Sequence, residues 1–184
     1  MPALAGAMRA PDRWRHALAF AELGRGPIDL NLCAAAEARE RIAAELGLEA
    51  ITSLTAELTV RPWRDGAQIS GWVRAQVTRI CGVSLDPYDE AISDEVSLRI
   101  VPPGSPNATR PAAGELTVDP LAEDPPEEAM GAAVELSDLI VEHLVLALDP
   151  FPKKPGAVFE SPPASLEDSP FAVLAKLKGG ASKQ

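Results

Sequence analysis

The sequence lacks long apolar runs, which excludes one class of protein at the outset. None of its 184 residues belongs to an uninterrupted apolar stretch of about 18 residues, so no transmembrane helix is predicted. Asp12, Arg13 and Arg15 interrupt the region in which a signal peptide carries its apolar core. We therefore expect a soluble, cytoplasmic protein with reduced thiols and no membrane partner.

Cysteine and histidine are scarce, which leaves few groups for catalysis or metal binding. The chain has Cys33 and Cys81 as its two cysteines, and His16 and His143 as its two histidines. Two cysteines make neither a disulfide framework nor a metal cage. The motifs of zinc proteases, serine hydrolases and P-loop NTPases are absent. We predict that the protein is not an enzyme and that it holds no cofactor or metal.

Cys81 is open to two interpretations. A cysteine beside Arg79 is in principle a reactive thiolate, whereas a cysteine at the end of a strand is usually a small packed hydrophobe. We favour the packed and chemically inert interpretation.

Basic residues are outnumbered, and the excess acid is concentrated in one segment. The net charge is −10, and residues 102–135 hold one basic and seven acidic side chains, a net charge of −6. Seven prolines among residues 102–126 prevent a regular helix or central strand there. We interpret residues 102–130 as a long, mobile acidic loop. Because phosphate binding requires clustered Lys and Arg, binding to any nucleic acid through a uniform basic face is disfavoured, and no DNA partner is expected.

The remaining periodicities predict an α+β domain. A strand is expected at 28–32, a helix at 34–46 that ends at Gly47, and three strands at 54–60, 68–80 and 90–101. A second, largely apolar helix is expected at 136–148. We predict an antiparallel sheet, capable of curling toward a barrel, that is covered by these two helices.

This pattern also divides the chain. Residues 1–27 form an N-terminal segment and residues 28–150 a single α+β domain that includes the loop at 102–130. Residues 151–184 form a Pro-rich linker and a tail, in which Ser169 and Pro170 start a short helix at 170–178.

Arginine, lysine and aromatic side chains supply the candidate contacts to a partner. An arginine beside an aromatic ring can stack on a base and bind phosphate, although scattered solvated charges are the simpler interpretation. The candidates are Trp72, Arg74, Arg79, Lys153, Lys154, Phe171, Lys176 and Lys178.

Four segments together resemble the YceD family, bacterial proteins associated with accumulation of the large-subunit ribosomal RNA. They are Gly71–Pro87 with its Cys81 turn, Glu135–Leu144, Leu146–Pro152 and the C-terminal Ser169–Lys178. Many members carry a second cysteine three residues after the first, but here that position is Ser84. A single thiolate cannot complete a zinc site, so no metal-binding residues are carried over from the family. The resemblance implies a process, ribosome assembly, and it implies no catalytic residues.

Three functions follow as hypotheses. The first is a factor that transiently binds a large-subunit ribosomal RNA precursor. The second is a factor whose acidic loop binds a basic ribosomal protein, which the net charge of residues 102–135 favours because opposite charges steer association. The third is a protein-interaction module outside ribosome assembly, with no RNA contact. The sequence does not predict an oligomeric state.

Overall fold

Alternating apolar side chains build the main sheet of the protein. The computed structural model describes residues 14–108 and 124–159. A short first strand, β1, spans Ala17–Ala19 and leads into a 3-10 helix at Phe20–Arg25. The sheet itself consists of β2 (Ile28–Cys33), β3 (Ala50–Trp63), β4 (Gly66–Ile80), β5 (Pro87–Val101) and β6 (Glu127–Glu128).

Strand order in this sheet is β2-β3-β4-β5-β6. The first four strands pair antiparallel, as the period-two patterns predicted, and β6 pairs parallel to β5. The antiparallel α+β prediction is therefore confirmed. Because β2 and β6 are edges that do not pair with each other, the sheet of the described residues does not close into a barrel.

Two helices complete the architecture. Helix α1 spans Ala36–Leu46 and ends at Gly47, whose φ of 66° is the left-handed conformation expected of a C-terminal glycine. A short strand, β7 (Ala133–Glu135), pairs with β1 and leads directly into α2 (Leu136–Ala147). Neither helix in the described ranges is long and apolar enough to cross a membrane.

The core lies between one face of the main sheet and these helices. Even-numbered residues of β3 and odd-numbered residues of β4 alternate into it; they include Leu54, Ala56, Leu58, Val60, Ile69, Val73 and Val77. Leu136, Ile140 and Leu144 of α2 are completely buried against it. Although α2 is largely apolar, it is buried on one side only, and Leu146 on its other side is 73% exposed. We call the sheet surface under the helices the inner face and the opposite surface the open face.

The packed unit extends beyond the predicted boundaries. Leu18 and Leu23, in the N-terminal segment, are buried in the core. At the two ends of the predicted mobile loop, Ser105 and Ala129 are also buried. Residues 109–123 and the predicted tail helix with Phe171, Lys176 and Lys178 lie outside the described residues.

Candidate nucleic-acid interface

Trp72 and Arg74 lie at the centre of the open face. Trp72 is 41% exposed, and the Arg74 guanidinium carbon lies 5.9 Å from the centroid of its ring. Arg74 also pairs with Glu57 on β3, with 3.0 Å between Nη1 and Oε2. These residues face solvent because successive side chains of β4 point to opposite faces, so Trp72 and Arg74 alternate with the buried positions Val73 and Ala75. The structure thus brings two of the predicted candidates together.

Arg79 does not belong to this surface, although the sequence analysis grouped it with Trp72 and Arg74 as a candidate partner contact. It has the same parity as Val73 and Val77, so it projects toward the inner face and is 7% exposed. Its Nη1 donates to Glu90 Oε2 at 3.0 Å, and its Nη2 donates to the backbone carbonyl of Asp149. Arg79 therefore fixes the segment that follows α2 to the sheet.

Lys153 and Lys154 lie near the turn that joins β4 to β5, away from Trp72. Lys153 is exposed. Lys154 Nζ is 3.8 Å from Asp86 Oδ2, and its backbone N–H donates to Cys81 Sγ at 3.3 Å. The structure does not combine these lysines with Trp72 and Arg74 in one site.

Cys81 is buried, but its environment is polar. Its Sγ accepts hydrogen bonds from the backbone N–H groups of Val83, Ser84 and Lys154, with N···S distances of 3.3–3.4 Å. Hydrogen bonds from the Ser84 side chain and backbone, with those from Lys154 and Val83, lower the pKa of the Cys81 thiol to about 6. In the part of the chain that the structure describes, no group of three or more His, Cys, Asp or Glu side chains is placed to hold a metal ion.

The open face also carries a second aromatic site, which the sequence analysis missed. The Trp63 ring has the Arg64 guanidinium carbon 4.6 Å from its centroid and that of Arg99 at 5.3 Å. Arg61, two residues before Trp63, is exposed on the same face. The strand predicted at 54–60 stops short of Trp63, although the alternation at 57, 59 and 61 continues to it in β3.

Gly66 allows Arg99 of β5 to reach Trp63 of β3 across the intervening strand. Gly66 pairs with Trp63, and because it has no side chain it does not separate the Trp63 ring from the Arg99 side chain. A Cβ atom there would lie only 2.1 Å from the carbonyl oxygen of Ile100. The close approach of β5 to this hairpin therefore requires glycine.

Hydrogen bonds to residues 105–107 hold this hairpin. Asp65 accepts from Ser105 Oγ and from Asn107 Nδ2, each at 2.7 Å, and Arg64 Nη1 donates to Asn107 Oδ1 at 2.9 Å. The bonds from Ser105 and Asn107 hold the pKa of the Asp65 carboxyl below its usual value. Beside the hairpin is a cleft of about 250 Å³, lined by Gln68, Ser97, Leu98, Arg99 and Asp124.

Comparisons of the chain with protein-family models, with curated proteins and with solved structures found no match. The geometry of the open face is therefore what indicates a function. That face combines two tryptophans, each with a guanidinium group near its ring, on a sheet whose other side is packed. Aromatic rings on an exposed sheet are suited to stacking on unpaired bases.

Proposed function

We propose that this protein is a non-enzymatic factor in large ribosomal subunit biogenesis that binds precursor RNA through its open face. One observation carries the proposal: Trp63 and Trp72 lie on the same uncovered sheet surface, and both contact arginine side chains. Stacking on an aromatic ring and phosphate contacts from arginine together provide affinity for an RNA strand.

Charge on the open face is more balanced than the net charge of −10 implies. The face and its hairpin carry Arg61, Arg64, Arg74 and Arg99 against the acidic side chains Asp29, Glu57, Asp65, Asp89 and Glu95, so their charges nearly cancel. The arginines at 61, 64 and 99 lie near the hairpin, whereas Glu57 and Glu95 flank Trp72. An RNA strand therefore meets its most favourable electrostatic environment near the hairpin.

The resemblance of four segments to the YceD family supports the process that we assign. That family is associated with accumulation of the large-subunit ribosomal RNA, and the segment Gly71–Pro87 includes Trp72 and Arg74. A protein that binds the precursor transiently needs an accessible surface rather than an enclosed catalytic site, which is what the open face offers.

The test is affinity capture of the full-length protein from its own cells, with and without ribonuclease treatment. We expect large-subunit precursor RNA in the untreated sample, and less of it with Trp72→Ala or Arg74→Ala. Leu146→Ala is the matched control, because it removes an exposed side chain from α2, on the other side of the sheet, and should leave RNA recovery unchanged.

Two results would contradict the proposal. One is that a ribosomal protein remains bound after ribonuclease treatment, while the untreated sample contains no precursor RNA. That result would favour the protein-binding hypothesis. The other is equal recovery of precursor RNA with Trp72→Ala, Arg74→Ala and Leu146→Ala.

A further inference from the structure

We infer that the hairpin end of the open face is a binding site for unpaired nucleotides, and that this protein therefore selects single-stranded over duplex RNA. We call this the Trp63 site; it consists of Trp63, Arg64 and Arg99 with the adjoining cleft. The inference rests on the proposed function and deepens it, because it names the form of RNA that is bound and the residues that recognise it.

Planar guanidinium groups lie beside the indole ring of Trp63. The guanidinium groups of Arg64 and Arg99 lie within stacking range of the indole ring, at 4.6 and 5.3 Å from its centroid. A guanidinium group is planar and stacks on bases as aromatic rings do. An unpaired base can therefore extend this stack without displacing a side chain from the core.

A cleft lies next to this stack. Its volume of about 250 Å³ is below the 300–1,000 Å³ that is usual for drug-sized ligands, so it suits a single base. The Gln68 amide both donates and accepts hydrogen bonds, Arg99 donates, and Ser97 does either. Base edges present the same mixture of donors and acceptors, and they are accessible in this way only when the base is unpaired.

Charge differs between the hairpin and the cleft. Arg61 and Arg64 are exposed at the hairpin, where the carboxylate of Asp65 is occupied by hydrogen bonds from Ser105 and Asn107, whereas Asp124 lies in the lining of the cleft. A phosphate is favoured near the arginines and repelled by Asp124. A nucleotide is therefore bound with its base toward the cleft and its phosphate toward the hairpin.

The Trp63 site is preorganised. Arg64 has a φ of 53°, a conformation that non-glycine residues adopt in tight turns, and Asp65 is held by Ser105 and Asn107. Because these hydrogen bonds already hold the turn at Arg64 and Asp65 in place, little conformational entropy is lost when RNA binds.

The experiment compares two probes with the full-length protein, by fluorescence anisotropy. One is a labelled oligoadenylate of about 10 nucleotides, a length within the usual site size of single-strand binding proteins, and the other is the same strand annealed to oligouridylate. We expect tighter binding of the single strand. Trp63→Ala should weaken that binding about tenfold, as expected for loss of one stacked base, whereas Trp63→Phe should retain most of it.

Further variants keep the test independent of folding. Arg99→Lys retains the charge but loses the planar group, and Gln68→Ala removes a polar group from the cleft, so both should weaken single-strand binding. Leu146→Ala is the control and should bind as the wild type does. Far-UV circular dichroism and thermal melting establish whether each variant is folded. If Trp63→Ala is not folded, Arg99→Lys and Gln68→Ala decide.

The outcomes separate this inference from the proposed function. Equal affinity for the two probes would overturn the inference. So would unchanged single-strand binding by Trp63→Ala, Arg99→Lys and Gln68→Ala when Trp72→Ala weakens it, although the open face would then still be the RNA-binding surface. If neither probe binds and no precursor RNA is captured from cells, the inference and the proposed function both fail.

Discussion

The sulfur atom of Cys81 connects two parts of the chain that are far apart in sequence. It accepts hydrogen bonds from the backbone N–H groups of Val83 and Ser84 within its own turn, and from that of Lys154 beyond α2. The prediction that Cys81 is packed is confirmed by its complete burial. However, it is more than a small hydrophobe, because these hydrogen bonds favour the thiolate and lower its pKa to about 6.

This pKa gives a pH-dependent contribution to stability. A group whose pKa is lower in the folded state stabilises the fold fully above its unfolded pKa, here 9.0, and that stabilisation is lost as pH falls through about 6. We expect the free energy of unfolding of the wild type, minus that of Cys81→Ser, to rise between pH 6 and pH 9. Urea denaturation at several pH values in this range measures it.

Cys33→Ser is the matched control, because Cys33 is the other thiol and is exposed at the end of β2. We expect it to leave the pH dependence of the wild type unchanged. A constant difference between wild type and Cys81→Ser across the same range would show that the thiolate does not stabilise the fold.

Among the elements, the β3–β4 hairpin depends on residues that the sequence analysis assigned to a mobile loop. Ser105 is buried, donates to Asp65 and accepts from the backbone N–H of Asn107 at 2.9 Å. At the other end of that segment, Ala129 donates its N–H to the Val101 carbonyl at 2.8 Å, and Glu128 accepts from the Gly104 N–H at 2.6 Å. Both ends of the segment are therefore part of the fold.

This arrangement predicts different effects of two changes in the segment. Replacing residues 109–123 with a shorter Gly-Ser linker should change the free energy of unfolding by no more than about 1 kcal/mol, because loop-closure entropy depends only weakly on length. Ser105→Ala should destabilise the protein more, because it leaves Asp65 with one hydrogen bond fewer. Thermal or urea unfolding compares them; a larger loss from the linker would show that residues 109–123 contribute packing contacts.

At the scale of the whole molecule, charge is segregated. Acidic residues give the chain its net charge of −10, yet Arg64 and Arg99 lie over the Trp63 ring and Arg61 is exposed two residues before it, at one end of the open face. Long-range repulsion between an acidic protein and RNA slows association, and a local cluster of arginines offsets it where the strand binds. Affinity for RNA is therefore expected to depend on a small number of ionic contacts.

Salt dependence measures that number. Each phosphate that is neutralised on a single strand contributes about −0.7 to the slope of log affinity against log salt concentration. We expect Arg61→Ala to reduce the magnitude of the slope by about 0.7, whereas Trp72→Ala should lower affinity with little change in slope. A slope that is the same in wild type and Arg61→Ala would exclude Arg61 as a phosphate contact.

The sequence by itself determined the elements whose signals are local. Leu54, Leu58, Ile69 and Val73 recur with the period of a half-buried strand, and Gly47 ends α1 where a left-handed residue is needed. The same alternation placed Trp72 and Arg74 on the solvent side of β4. These features were predictable because backbone geometry relates each residue only to its near neighbours.

Tertiary structure decided what surrounds each side chain. Arg79 is buried because Glu90 and the carbonyl of Asp149 are brought to it from other elements. Arg99 reaches Trp63 because β5 lies beside β4 and Gly66 leaves room between them. Strand order and close approach depend on residues that are distant along the chain, so periodicity alone could not have placed Arg99 beside Trp63.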